Sequence, residues 1–186
     1  MTDDLESDPP APEGTAAPES SGAPTGLVAP AVPRRRLGIV AAVAATVVIV
    51  DQLSKWWVVN RLTNGQIIDL IGSLRLNLYF NTGVAFSLGS GNGLGPWISV
   101  LAIGVVVAVS FGATSRFPLG AVASGLISGG ALGNLLDRAF RGDAGFLHGA
   151  VIDWIDLQWW PVFNVADASI VIGAILLVFA SFRVSQ

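Results

Sequence analysis

Two stretches of this chain carry carboxylates in settings suited to acid–base chemistry. In Val151-Ile152-Asp153-Trp154-Ile155-Asp156 the first aspartate follows two β-branched apolar residues and precedes a tryptophan. Apolar neighbours raise a carboxyl pKa by desolvation, which suits a group that must hold and release a proton near neutrality. Asp156 has a plainer setting and reads as a surface carboxylate, and a surface loop would equally account for Asp153. In Pro161-Val162-Phe163-Asn164-Val165-Ala166-Asp167 an asparagine precedes an acid by three residues. That is a helix-start pattern, with Asn164 at the N-cap and Asp167 in the first turn. In a soluble helix capping alone would explain both. With Asp153 fourteen residues earlier, a pair of carboxylates sharing one proton is a competing reading.

Two further clusters could support such a pair. Asn134, Asp137 and Arg138 are three and four residues apart, so on a helix they share one face. They would serve as a cap that holds a helix end at an interface, or as a network around a site. Asp51 and Lys55 form an i,i+4 pair. Mutual neutralisation lowers the cost of placing either near hydrocarbon, which is a structural role. Other chemistries are excluded outright. The chain has no cysteine, so thiol catalysis, disulfides and thiolate metal sites are impossible, and its single histidine, His148, cannot build a multi-histidine zinc centre.

The elements that position these residues belong to a membrane protein. The chain of 186 residues is 52% hydrophobic and only 12% charged, with mean hydropathy +0.65. A water-facing surface of ordinary size needs about twice that charge. Six of the thirteen acids lie in the first twenty residues, so the net charge of −3 averages two unlike regions. Residues 1–33 hold seven of the ten prolines. That segment reads as a disordered acidic cytoplasmic tail, unable to bury enough surface to order itself. From Arg34 onward ten bases face seven acids.

Since about 20 apolar residues cross a bilayer as a helix, four spans are expected, near 37–59, 97–113, 119–136 and 165–182. Between the first two, residues 60–94 are mixed and Gly-rich, and Leu74–Phe80 begins with a strand-like alternation. This predicts a small β-rich platform at the membrane surface. The third span carries Gly125, Gly129 and Gly133 at i, i+4 and i+8, a spacing that lets helix backbones approach closely in lipid. Arg34-Arg35-Arg36 before the first span favours cytoplasmic termini. All six tryptophans, and all seven acids after the tail, then fall at or beyond the outer ends of the spans. The outer interface is therefore where chemistry is expected.

Five segments occur in order: Asp51-Gln52-Leu53-Ser54-Lys55, Asn81-Thr82-Gly83-Val84-Ala85-Phe86-Ser87, Gly130-Ala131-Leu132-Gly133-Asn134-Leu135-Leu136-Asp137-Arg138, Val151-Ile152-Asp153 and Phe163-Asn164-Val165-Ala166-Asp167. Together they resemble lipoprotein signal peptidase, or signal peptidase II, from about Leu37 to the last span. The resemblance implies a mainly α, polytopic membrane protein with four transmembrane helices and a small extracytoplasmic β-rich platform, residues 34–186 forming the peptidase domain. It implies that Asp153 and Asp167 are a catalytic aspartate dyad. Asn134, Asp137, Arg138 and Asn164 would support the dyad, Asn81 and Gly83 would belong to the substrate-contacting platform, and Asp51 and Lys55 to the first-span motif. The substrate would be a prolipoprotein whose cysteine carries diacylglycerol, cut just before that cysteine in the bacterial inner membrane. No metal, other cofactor or nucleic acid is implied, lipid is the natural surrounding, and a monomer suffices. The chain departs from the family pattern in the tryptophan after Asp153, where phenylalanine is more usual, and in a longer stretch between Arg138 and Asp153. A small proton-coupled transporter is the other class that uses intramembrane carboxylates, but it needs acids near mid-span. A packing protein would make all five motifs coincidental.

Overall fold

In hydrocarbon a segment must satisfy its own backbone hydrogen bonds, which an α-helix does and a lone strand does not. The computed structural model describes residues 34–82, 95–141 and 145–184, and there the apolar stretches form helices. They are α1 (Leu37–Leu62), α2 (Gly95–Phe111), α3 (Pro118–Phe140) and α4 (Val165–Val184). Three of them, α1, α3 and α4, are long and apolar enough to cross a membrane. The second expected span, α2, is a 17-residue helix, at the lower edge of the spanning range of about 17–25 residues. A single 3-10 turn, Ala113–Arg116, joins α2 to α3, and Pro118 opens α3, where its missing N–H costs nothing. The acidic tail lies outside the described residues.

The third helix is the centre of the packing. Within its span 61% of residues are buried, against 22% in α1 and in α4. The glycines explain how. A Cβ on Gly129 would stand 2.8 Å from the Ala44 carbonyl oxygen and 2.7 Å from Val47 Cβ, and one on Gly125 would stand 2.6 Å from Val43 Cβ, all in α1. On the opposite side, a Cβ on Gly130 would meet the Ala166 oxygen of α4 at 2.3 Å. Ser128 and Ser110 are hydrogen-bonded at 3.1 Å, and Ser124 donates to the Val109 carbonyl at 2.9 Å, which ties α3 to α2. The outward faces are apolar instead: Leu53, Leu101, Val107, Ile175 and Phe179 are all more than half exposed. Polar contacts inside and large apolar side chains outside suit a lipid surround, because soluble monomers rarely expose so much contiguous apolar surface.

The platform is a three-stranded antiparallel sheet in the order β1 (Ile67–Ile71), β2 (Leu74–Asn81), β3 (Val151–Asp156). The alternation at 74–80 does become a strand. The third strand comes from beyond α3, outside the segment 60–94, and it is the strand that bears Asp153. The remainder of that segment, 83–94, lies outside the described residues. Leu76 of β2 packs with Val58 and Leu62 of α1, joined by Ile68, Leu78 and Trp154, so the sheet is seated on the end of α1. Gly149 brings the chain back to α3: its N–H donates to the Arg138 carbonyl at 2.9 Å, and a Cβ there would lie 2.0 Å from the Arg141 oxygen.

Gly129→Leu should lower the thermal midpoint in detergent by the equivalent of about 1–3 kcal/mol, the usual cost of overpacking. Gly104→Ala in α2, where no atom lies within 4 Å of the added Cβ, should leave the midpoint unchanged. Equal melting of the two variants would mean that the α1–α3 contact does not set stability.

Candidate active site

The start of α4 is built by two side chains that cap each other. Asn164 Oδ1 accepts the Asp167 N–H at 2.9 Å, and Asp167 Oδ2 accepts the Asn164 N–H at 3.2 Å. This reciprocal arrangement is the capping box expected of an Asn with an acid three residues on. The chain arrives there through a reversal after β3. Ile155 and Phe163 exchange backbone hydrogen bonds at 2.8 and 3.1 Å, and Gln158 takes a left-handed φ of 67° between them. That reversal sets Asn164 beside Asp153, and Asn164 Nδ2 donates to Asp153 Oδ1 at 2.7 Å. One asparagine therefore caps the helix with its oxygen and binds the strand carboxyl with its nitrogen.

Asp153 is buried and receives a second amide on its other oxygen, from Asn81 Nδ2 at 3.0 Å. Asn81 sits at the end of β2 opposite Val151, so its side chain reaches diagonally to Asp153 across the pair. Burial, reinforced by the charge of Asp167, pushes the Asp153 carboxyl up to about 7, although the two amides favour the anion. Asp156 is not the surface carboxylate that its sequence setting suggests. It is 4% exposed and bound by Arg75 Nε at 2.7 Å, Asn77 Nδ2 at 3.1 Å and the Gln158 N–H at 2.7 Å. Burial opposes its charge, but these donors outweigh it and hold the carboxyl below the usual range. A strand alternates its faces, but Asp156 still finds cover because β2 presents Arg75 directly opposite it.

Asp51, Lys55 and Asp137 meet between α1 and α3. Lys55 Nζ lies 2.8 Å from Asp51 Oδ2 and 2.7 Å from Asp137 Oδ2, with all three side chains fully buried. Sequence spacing links Asp137 with Arg138, whereas the salt bridges of Asp137 run to Lys55 and to Arg141, the latter at 2.7 Å. Sequence reading did not single out Arg141, although it stands four residues after Asp137. Gln52 stands in the first-span motif, but its sequence setting gives it no role. Its Nε2 reaches Asp137 Oδ1 and the Gly133 oxygen, and its Oε1 accepts from Arg141. Asp51 also takes the Ala166 N–H of α4 at 3.0 Å, so the same cluster grips the first turn of the last helix.

Asn134 connects this cluster to the carboxylates. Its Oδ1 accepts from Lys55 Nζ at 3.0 Å and Asn164 Nδ2 at 3.1 Å, while its Nδ2 donates to Asp167 Oδ1 at 2.8 Å. Asp153 and Asp167 line one cavity of about 420 Å³, together with Asn81, Asn134 and Arg138 at its polar end. Apolar side chains of α2, α3 and α4 make up most of the remaining wall, among them Leu101, Val105, Ile127 and Ile170. A second apolar cleft, walled by Trp159, Trp160 and Phe163, adjoins the first along Asp167 and Val171. Of the ten residues expected in the site, Gly83 alone lies outside the described residues. Hydrogen bonds and ion pairs join eight of the others into one polar assembly, and Arg138 lines the same cavity.

Two carboxyls at the polar end of an apolar cavity can activate water against a bond in an apolar substrate. The comparisons with known proteins agree on the kind of protein that carries them. Residues 43–183 match the family described as signal peptidase (SPase) II. The lipoprotein signal peptidase of Mycobacterium avium (strain 104) is 46% identical over 162 residues, covering 85% of this chain and 87% of that relative. The lipoprotein signal peptidase of Mycobacterium tuberculosis (strain H37Rv) is 42% identical over 180 residues, covering 93% of this chain and 87% of that relative. A solved structure described as a bacterial membrane enzyme superposes with a TM-score of 0.70 at 27% identity, covering 84% of this chain and 94% of the other. A second of the same description gives 0.65 at 28%, covering 81% and 96%. Every described member of the polar assembly falls within residues 43–183, and the chain belongs to the signal peptidase II family.

Proposed function

We propose that this chain is an aspartic endopeptidase of the bacterial cell membrane. It removes signal peptides from prolipoproteins that carry diacylglycerol on cysteine, cutting just before that cysteine. The observation that carries the reading is the pair Asp153 and Asp167 at the polar end of one apolar cavity. Two carboxyls sharing a site retain one proton between them. Asp153, raised to about 7, keeps it. Asp167, at a helix start where anions are favoured, takes a proton from water as general base. The hydroxyl adds to the scissile carbonyl carbon while Asp153 donates to the carbonyl oxygen. The C–N bond then breaks: the proton held on Asp167 passes to the leaving amine, and a hydroxyl of the gem-diol returns its proton to Asp153 as the carbonyl re-forms.

An apolar signal segment would lie between α2 and α4, along Leu101, Val105 and Ile170. The adjoining cleft along Trp159 and Trp160 offers the acyl chains an apolar path beside the same carboxyl. In this reading α2 is a fourth span, both termini are cytoplasmic, and the sheet, with Asn81 and Gly83 contacting substrate, lies at the extracytoplasmic face. Residues 1–33 are a cytoplasmic tail without a part in cleavage. The protein works as a monomer and without a cofactor.

Asp153→Asn and Asp167→Asn should each reduce turnover of a diacylated prolipoprotein by at least about 10⁴-fold, the upper end for acid–base assistance. The losses should not multiply in the double variant. Retention of a tenth of wild-type turnover by either would remove that residue from the pair. Asp156→Asn should keep turnover per folded molecule and lower the melting temperature, because its change is felt at Arg75 and Asn77. Deleting residues 2–33 should leave turnover in detergent within twofold.

The pH dependence has a defined sign. A carboxyl whose folded pKa is raised contributes stability that is full at acid pH and lost as pH rises through about 7. Relative to wild type, Asp153→Asn should therefore melt higher at pH 8.5 than at pH 5. Wild-type kcat should fall above pH 7 as Asp153 loses its proton. A flat difference in melting across that window would refute the assignment of the retained proton to Asp153.

A further inference from the structure

Lys55 offers three N–H donors and no acceptor, and three acceptors stand against it: Asp51 Oδ2 at 2.8 Å, Asp137 Oδ2 at 2.7 Å and Asn134 Oδ1 at 3.0 Å. It is fully buried. An ammonium in that position admits only the oxygen of the Asn134 amide, so the Asn134 nitrogen must point away from it. It points at Asp167 Oδ1, 2.8 Å distant. The same Asn134 oxygen takes a hydrogen from Asn164 Nδ2 at 3.1 Å, which fixes the second amide in turn. Held that way round, Asn164 gives its nitrogen to Asp153 Oδ1 at 2.7 Å and its oxygen to the Asp167 N–H at 2.9 Å.

We infer that Lys55 is a positioning residue: it sets the direction of the Asn134 and Asn164 amides, and through them makes both carboxyls of the proposed dyad acceptors. It does so by orientation and not by neutralising Asp167. Its charge is already matched, since Asp51 and Asp137 stand against Lys55 and Arg141 as two acids and two bases. A flipped Asn134 would turn an acceptor toward Asp167 and set its N–H groups against the Lys55 ammonium and the Asn164 amide nitrogen, an arrangement with three unmade hydrogen bonds. The inference rests on the aspartic reading given above, and it assigns the first span a part in the reaction that ion-pair neutralisation alone would not require.

The test is turnover of a diacylated prolipoprotein by the full chain, with kcat, KM and the melting midpoint measured for each variant. Asp51→Asn with Lys55→Met removes one charge of each sign, keeps the Asp137–Arg141 bridge, and leaves an oxygen at position 51 for the Ala166 N–H. Loss of alignment of this kind costs about tenfold to a hundredfold, so kcat per folded molecule should fall by that factor with KM within twofold. Asn134→Ala should lower kcat comparably. Because the two lie on one path, the triple variant should be no worse than Asn134→Ala. Losses that multiply, or a double variant within twofold of wild-type kcat, would overturn the inference. If the double variant does not fold, Asn134→Asp decides. That near-isosteric change keeps an oxygen for Lys55 but presents a second oxygen to Asp167, so kcat should fall at least tenfold, and half of wild-type kcat retained would overturn the inference. Full activity in Asp153→Asn or Asp167→Asn would instead defeat the dyad itself, a separate result from either of these.

Discussion

Close backbone approach between α3 and its two neighbours is the constraint on which the site depends. Helices in lipid gain little from apolar burial against one another, so association relies on packing and on interhelical hydrogen bonds. Both need short distances, and glycine supplies them. Gly125 and Gly129 admit α1, and Gly130 admits α4. Gly133 marks the point where packing becomes chemistry, for the atom that a Cβ would meet there is Asp51 Oδ2, at 2.7 Å. One glycine face thus brings the first-span carboxylate to the level of Asn134 and to the backbone of Ala166, 115 residues away in sequence. With side chains in place of those glycines, the helices would stand apart and Asp51 could not reach the last helix.

Charge inside that contact needs its own explanation. A buried ion pair seldom adds stability over a well-packed apolar pair, since desolvating both members offsets their attraction. The group around Lys55 comprises two acids, two bases and Gln52, with only Arg141 about a third exposed among the ion-paired side chains. Its donors and acceptors are matched closely enough for burial to be tolerable, because each carboxylate accepts from more than one partner. Such a network contributes definiteness. It allows one relative placement of α1, α3 and the first turn of α4, and it ends at Asn134, whose two polar atoms then have no freedom of direction.

The helical part of this architecture was legible because apolar length is a strong signal, and so was the glycine stripe. The candidate site was legible because its motifs are local: Asn164 and Asp167 lie within one helical turn, and Asn134, Asp137 and Arg138 within little more than one. What escaped was whatever depends on meeting across the fold. Asp156 looks exposed in sequence, since its partner Arg75 is 81 residues away. The alternation at 74–80 points to a β-platform within residues 60–94, whereas the third strand comes from 151–156, which alternates too little to announce a strand. Arg141 was readable by its i+4 relation to Asp137, but Arg138 is the nearer base and drew the assignment. The direction of an amide has no signature in sequence at all.

The two carboxyls come from unlike elements, and this difference is the physical basis for the unlike roles proposed for them. Asp153 is on a strand, between Ile152 and Trp154, with both oxygens occupied by amides and with burial raising it to about 7. Asp167 is in the first turn of a helix, where the helix dipole favours an anion, its oxygens held by Asn134 and by the Asn164 N–H. Pairs of acids divide acid and base work when their surroundings separate them in this way. In the proposed mechanism that difference would need no rearrangement at the moment of reaction. The reversal from Ile155 to Phe163 fixes the strand against the cap, and Asn164 donates its amide N–H to the Asp153 carboxyl while its amide oxygen accepts the Asp167 backbone N–H, so that the pair is set up as the chain folds.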